Sequence, residues 1–293
     1  MKKPMGEKIF QVFDILIMVL TMAVVILPFM HIISISVSDR VAVSTLQVGI
    51  FPVGFNMGAY YELIANPIFT RSLLNTVFTT IVTTILSVFV ITMSGYALAK
   101  PYFFGKKVIT YFFIIPMYFS GGLIPTYLLI TNYLHLNNNF LAYILPAIVN
   151  VFYLIVVKGQ IEAAPVELIE AAHIDGASEW QTLIRIVLPI IGPTIAAVSM
   201  FIALNTWNMW YPVLLYATDD HMWTLQYFLR AVVFDKFFSS YADSVTVTSG
   251  SESIPPQNFQ MAAIILVALP IVAIYPFVQK YFVKGILAGS VKG

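Results

Sequence analysis

The sequence predicts an all-α integral membrane protein with six transmembrane helices, and three observations carry that expectation. Only 10% of its 293 residues are charged and 59% are hydrophobic, with a mean hydropathy of +0.88. A soluble domain carries about 25% charged residues on its surface. Six apolar stretches reach the roughly 20 residues that a helix needs to cross a bilayer. Lys and Arg are also divided unevenly among the segments that join these stretches. A chain of this kind takes lipid as its solvent.

The stretches run approximately over 12–33, 71–98, 108–130, 139–157, 190–216 and 260–281. The first is too long for the apolar part of a secretory signal and lacks a small-x-small cleavage site, so it is read as a span. Eleven basic residues fall on one side: Lys2, Lys3, Lys8, Lys100, Lys106, Lys107, Lys158, Arg185, Lys280, Lys284 and Lys292. Four fall on the other: Arg40, Arg71, Arg230 and Lys236. The positive-inside rule then places both termini in the cytoplasm. The whole chain, 1–293, reads as one transmembrane domain, with a cytoplasmic loop at 158–189 and an outer loop at 217–259. Within the outer loop, the run Ser244 to Ser253 reads as a polar, mobile tip, and Pro255-Pro256 stiffens the approach to the last span.

Several classes of function are excluded. A net charge of +1 with no basic block offers no grip on nucleic acid. Without cysteine there is no disulfide, thiolate metal site or thiol nucleophile. The sequence holds no G-x-x-x-x-G-K-[ST] nest for ATP. His31, His135, His173 and His221 lack metal-ligand spacing. The trio Asp219, Asp220 and His221 reads as a solvated turn, with contact to an extracytoplasmic protein as the functional alternative. No catalytic residue, resident cofactor or metal is expected.

Spans two to six hold no Asp, Glu, Lys, Arg or His between their interfacial ends. Proton-driven carriers keep such groups at membrane depth, because they are costly and retained for function. Span two instead carries Ser72, Thr76, Thr79, Thr80, Thr83, Thr84, Ser87 and Ser94 within one arc at ~100° per residue. Small hydroxyl residues let helices pack closely. The same stripe, with Thr76, Thr80 and Thr83 at its centre, would also suit a water-filled pathway.

The segment between spans four and five is too polar to cross lipid. Pro165 suits a first helical turn, and Val166, Ile169, Ala172 and His173 fall on one face. Gly176 is a left-handed stop. Ser178 with Gln181 three residues later is a capping box that opens a second helix. The expected form is a short helix outside the membrane, a sharp bend, and a helix leading into span five.

This segment resembles the cytoplasmic loop of bacterial ABC importer permeases at seven positions over twenty residues: Glu170-Ala171-Ala172, Gly176, Ile186 and Leu188-Pro189. The resemblance implies a type I importer permease whose short coupling helix docks on an ATP-hydrolysing subunit. On that reading Glu170 bonds a basic group of the ATPase, Ala171 and Ala172 allow close approach, and Asp175 and Gly176 shape the turn. The loop is acidic overall, whereas interfacial lipid-binding helices are usually rich in Lys and Arg.

The resemblance further implies a sister permease forming a heterodimer, two ATP-binding cassette subunits that hold ATP and Mg, and an extracytoplasmic solute-binding protein. The tail Lys284 to Gly293 is similar to that of maltose-type permeases. Ser120 to Thr126 also looks family-like. The stretch Trp207-Asn208-Met209-Trp210-Tyr211-Pro212 resembles the aromatic-Asn signature of carbohydrate permeases. That likeness, shared with the second permease of maltose-type importers and with permeases for alginate fragments, implies an oligosaccharide. Asn205 and Asn208 could bond its hydroxyls. Trp207 and Trp210 stand either as substrate contacts or as members of the interfacial aromatic belt, since Trp207 lies ~25 Å along the helix from Ile190. The rival readings are an ion-coupled secondary carrier and a membrane scaffold.

Overall fold

A computed structural model describes residues 5–119, 121–234 and 256–290. The polar tract Ser244 to Ser253, Lys236, Pro255, Ser120 and the last three residues of the tail lie outside the described residues.

Among the described residues, five helices are long and apolar enough to cross a membrane: Met5–Ser36, Pro67–Ala99, Leu141–Glu162, Glu179–Trp207 and Gln257–Ile274. Two further pieces, Lys106–Tyr118 and Leu123–Tyr133, are apolar enough to make a sixth crossing if they act as one span, and are bent by 113° to each other. The bend falls at Gly121-Gly122, where Gly122 has φ +89°, a conformation that costs an L side chain energy. Among the described residues there is no strand, only a bridge between Ser38 and Phe55. The chain forms two compact units, Met1–Phe69 with Leu229–Leu269, and Thr70–Phe228 with Pro270–Gly293.

In the first unit no residue in the apolar stretch of the first helix is buried by the chain. Hydrocarbon tails are as apolar as Leu, so such a helix needs no protein cover. Its C-terminal end is held by polar bonds instead. His31 Nδ1 pairs with Gly49 O at 2.9 Å, and Ser36 Oγ with Tyr60 OH at 2.8 Å. Asn258, on the last helix, donates from Nδ2 to Ile35 O at 2.9 Å and Ser38 O at 3.0 Å. The two Asn258 bonds add a side-chain donor to backbone carbonyls where the first helix stops.

The second unit is organised around the second spanning helix, Pro67–Ala99. Its cytoplasm-proximal half, by the sequence reading, packs Ile91, Tyr96 and Leu98 with Leu154, Val157, Leu183, Val187, Val198 and Ile202. At its other half Asn75 Nδ2 donates to His221 O at 2.8 Å and Trp223 O at 2.9 Å. Thr76 Oγ1 accepts from Leu225 N at 2.7 Å. The 221–225 segment is thereby tied to this helix through its backbone groups. Asn75→Leu strips two such carbonyls of their donor, at an expected cost of about 1–3 kcal/mol. Earlier thermal unfolding in detergent checks it, and an unchanged midpoint would show that the two bonds are dispensable.

The fourth crossing is not a continuous helix. Its halves, Leu141–Ile148 and Val151–Glu162, meet at Val149 and Asn150, both with extended backbone. Non-helical backbone at membrane depth is tolerated where it is buried in protein or lines a polar cavity. Here Ser87 Oγ donates to Ile148 O at 2.7 Å, and the Asn150 side chain accepts from Tyr153 N at 3.3 Å.

Candidate functional site

The loop between the fourth and fifth crossings folds as its residues dictate. Pro165, with φ −58°, precedes the helix Val166–Ile174. The helix ends in two bonds: Gly176 N donates to His173 O at 3.1 Å, and Ala177 N to Ala172 O at 2.9 Å. With Gly176 at φ +79°, this is a Schellman ending, which satisfies the last carbonyls while reversing the chain. The capping box follows at once. Ser178 N donates to Gln181 Oε1 at 2.9 Å, and Gln181 N to Ser178 Oγ at 3.3 Å. Two reciprocal devices, three residues apart, fix the angle between the short helix and the next.

That next helix, Glu179–Thr182, passes through a π turn at Leu183–Val187 into Leu188–Trp207. Pro189 gives a physical reason for the wider turn. It has no N–H to offer Arg185, and its ring would crowd that carbonyl in a regular helix. Leu188 packs against the apolar cluster and Ile186 is half-buried, while Pro189 is exposed.

The short helix divides into two faces. Ala172 is buried by the chain itself, and Ile169 packs against the apolar cluster. Glu170, Ala171, Asp175 and Gly176 are exposed, beside Leu168, Val166 and Ile174, the last 86% exposed. Ala171 and Ala172 therefore differ in surroundings: one is exposed and open to a partner, while the other lets the helix seat closely on its own bundle. At the base of the loop Glu162 is held by two lysines, Lys106 at 2.7 Å and Lys158 at 2.8 Å.

The pathway residues expected from the sequence fall into two groups. Thr76 and Thr83 are buried within the chain, Thr80 half-buried. Thr76 also donates to Ser72 O at 2.8 Å, while the hydroxyls of Thr80 and Thr83 are buried with no partner inside the chain. Trp207 is 8% exposed, its Nε1 likewise without a partner. Trp210 packs edge-on to Tyr211 at 5.5 Å.

Asn205 and Asn208 are exposed. Asn205 Nδ2 donates to Tyr153 OH at 3.2 Å, and Asn208 Oδ1 accepts from Gln226 Nε2 at 3.0 Å. Tyr153 stacks on Phe201, with ring centroids 6.2 Å apart and planes 10° apart. A polar and aromatic shelf of Asn150, Tyr153, Phe201, Asn205 and Asn208 thus stands at the break in the fourth crossing. Sequence reasoning missed Tyr153 and Phe201, which look like any aromatic in an apolar run. Asn150, an amide in the middle of such a run, was the signal that could have located the shelf.

Asp219, Asp220 and His221 do come together, with their ligand atoms within 4.8 Å of one another. The turn itself accounts for much of this, since Asp219 Oδ1 accepts from His221 N at 3.0 Å to cap a short 3₁₀ helix.

No protein-family model matches the chain. Among known proteins, it is 38% identical over 290 residues to the protein LplC of Bacillus subtilis, covering 98% of this chain and 96% of that one. It is 35% identical to the polygalacturonan/rhamnogalacturonan transport system permease protein YtcP of the same organism, over 97% of this chain and 99% of that one. To the arabinooligosaccharides transport system permease protein AraQ of Halalkalibacterium halodurans it is 32% identical, over 75% of this chain and 73% of that one. A solved bacterial ABC transporter involved in the import of the acidic polysaccharide alginate contains a chain that superposes with a TM-score of 0.89 at 25% identity, covering 96% of this chain and 99% of that one. Helices, broken crossings, loop and relatives agree: the chain belongs to the permease family of bacterial carbohydrate ABC importers.

Proposed function

We propose that the chain is the membrane-spanning half of an oligosaccharide importer, and that its 165–189 loop converts closure of partner ATPases into movement of the spans. The observation that carries this is the loop geometry. A Schellman ending and a capping box hold a short helix rigidly against the bundle, and leave Glu170, Ala171 and the 86%-exposed Ile174 facing outward. An apolar side chain so exposed beside acidic neighbours suits a protein groove with basic residues.

The partners on this reading are a sister permease forming a heterodimer, two ATP-binding cassette subunits that bind ATP and Mg and carry out all hydrolysis, and an extracytoplasmic solute-binding protein. The assembly sits in the bacterial cytoplasmic membrane with both termini of this chain in the cytoplasm, in keeping with the eleven-to-four division of its basic residues.

The shelf at the fourth crossing supports a sugar as cargo. Tyr153 and Phe201 present ring faces suited to sugar C–H groups, and the Asn205 and Asn208 amides can bond hydroxyls. The relatives named for polygalacturonan, arabinooligosaccharides and alginate favour an oligosaccharide of that general kind.

Co-purification from the native membrane tests the coupling. Wild-type protein is expected to bring down an ATPase that Gly176→Pro loses. Wild-type protein recovered alone in gentle detergent would move the ion-coupled carrier to first place. The cargo is tested separately with Tyr153→Ala. It is expected to raise the half-saturating oligosaccharide concentration by about tenfold, roughly 1.4 kcal/mol, with ATPase recovery unchanged. Unaltered uptake would remove the shelf from the pathway.

A further inference from the structure

Glu179 opens the helix that follows the capping box, where an acidic side chain already suits the helix N-terminus. It does more than that. Its Oε2 accepts from Tyr96 OH at 2.5 Å and pairs with Lys100 Nζ at 2.6 Å. Its Oε1 lies 3.8 Å from His173 Nε2, on the short loop helix. The Lys100 ammonium in turn sits 4.5 Å from the centre of the Tyr96 ring. One carboxylate thus joins three elements: the end of the second spanning helix, the short helix, and the start of the fifth crossing.

The junction is not explained by standing stability. The Glu179 side chain is 62% exposed, and exposed ion pairs contribute little to folding. Its physical distinction is direction. The apolar contacts of Tyr96, Leu98, Leu183 and Val187 nearby hold these elements together, but apolar surfaces tolerate sliding. A charge-assisted bond fixes register. Burial acts to lower the pKa of Lys100, yet its bonds to Glu179 and Tyr96 and their charges outweigh this and raise it, so its ammonium is kept.

We infer that Glu179 is a positioning residue that delivers movement of the loop helix to the second span, through Tyr96 and Lys100, alongside the covalent routes into the fourth and fifth. The inference rests on the coupling role proposed for the loop. In its absence only the fourth and fifth crossings, which are continuous with the loop, are pulled directly, and ATP is spent with less displacement of the second.

The test uses the assembled transporter, reconstituted with its native partner subunits, and reads solute imported per ATP hydrolysed. Glu179→Gln and Lys100→Met are expected to keep the ATPase bound and hydrolysing, with thermal midpoints near wild type, while import per ATP falls about fivefold or more. Their double variant should fall no further than either alone. Tyr96→Phe, which keeps the ring and drops only the hydroxyl, should fall part of the way. The exchange Lys100→Glu with Glu179→Lys should recover most of the loss. An unchanged ratio in the single variants overturns the inference, as do additive losses in the double variant. Wild-type protein that binds no ATPase overturns the coupling reading beneath it, whatever the variants do.

Discussion

Gly176→Pro is expected to abolish ATP-driven uptake while the protein still inserts into the membrane. Gly176 sits at φ +79°, and proline is locked near −65°. The substitution also removes the N–H that bonds His173 O, so the Schellman ending cannot form. The expected local cost is about 3 kcal/mol, and it falls on the one turn that sets the angle between the short helix and the next. Gly176→Ala separates conformation from space. A Cβ at this position meets nothing within 4 Å, so alanine carries only the left-handed penalty of about 1–2 kcal/mol. Its uptake should be reduced rather than lost. Initial uptake rates in membranes with equal amounts of inserted protein check both. Uptake by Gly176→Pro at the wild-type rate would show that the turn does not transmit force.

Gly95→Leu is expected to have the next largest effect, and through packing alone. A Cβ at Gly95 would lie 3.2 Å from Val157 Cγ1, 3.4 Å from Lys158 N and 3.7 Å from Lys158 Cα. The second spanning helix and Val151–Glu162 therefore approach almost backbone to backbone, the arrangement small residues make possible where lipid supplies no hydrophobic drive. Leucine must push the two helices apart, at about 1–3 kcal/mol for overpacking. A fall of about 5 °C in thermal midpoint is expected. Gly95→Ala needs only a few tenths of an ångström from Val157 and should lie close to wild type. A Leu variant as stable as wild type would mean that the helices part freely.

Much of this was legible in the sequence because the signals are local. Hydropathy locates a helix wherever about 20 apolar residues run together, and the loop announces itself through Gly176 and the Ser178–Gln181 pair. What composition cannot register is backbone continuity. The third crossing bends at Gly121-Gly122 and the fourth breaks at Val149-Asn150, yet both read as unbroken apolar runs. The fifth helix begins at Glu179 and ends at Trp207, whereas the apolar stretch suggested 190–216. Polar residues extend the helix before it reaches lipid, and Asn208 to Trp210 turn the chain before Tyr211–Tyr216. The site was partly legible for a related reason. Asn205 and Asn208 stand out as amides, but their partners Tyr153 and Gln226 come from remote segments and meet them only in three dimensions.

The central claim, that the exposed face of the short helix meets an ATPase, is tested most directly by a single thiol. The chain has no cysteine, so Ala171→Cys or Ile174→Cys carries the only one. Membranes holding the native partners are treated with a short thiol-directed crosslinker. Both thiols are expected to give an adduct with the ATPase subunit, while a thiol at Asp219, which the proposed topology puts on the outer side, gives none. Adducts from Asp219 but not from Ala171 or Ile174 would contradict the account.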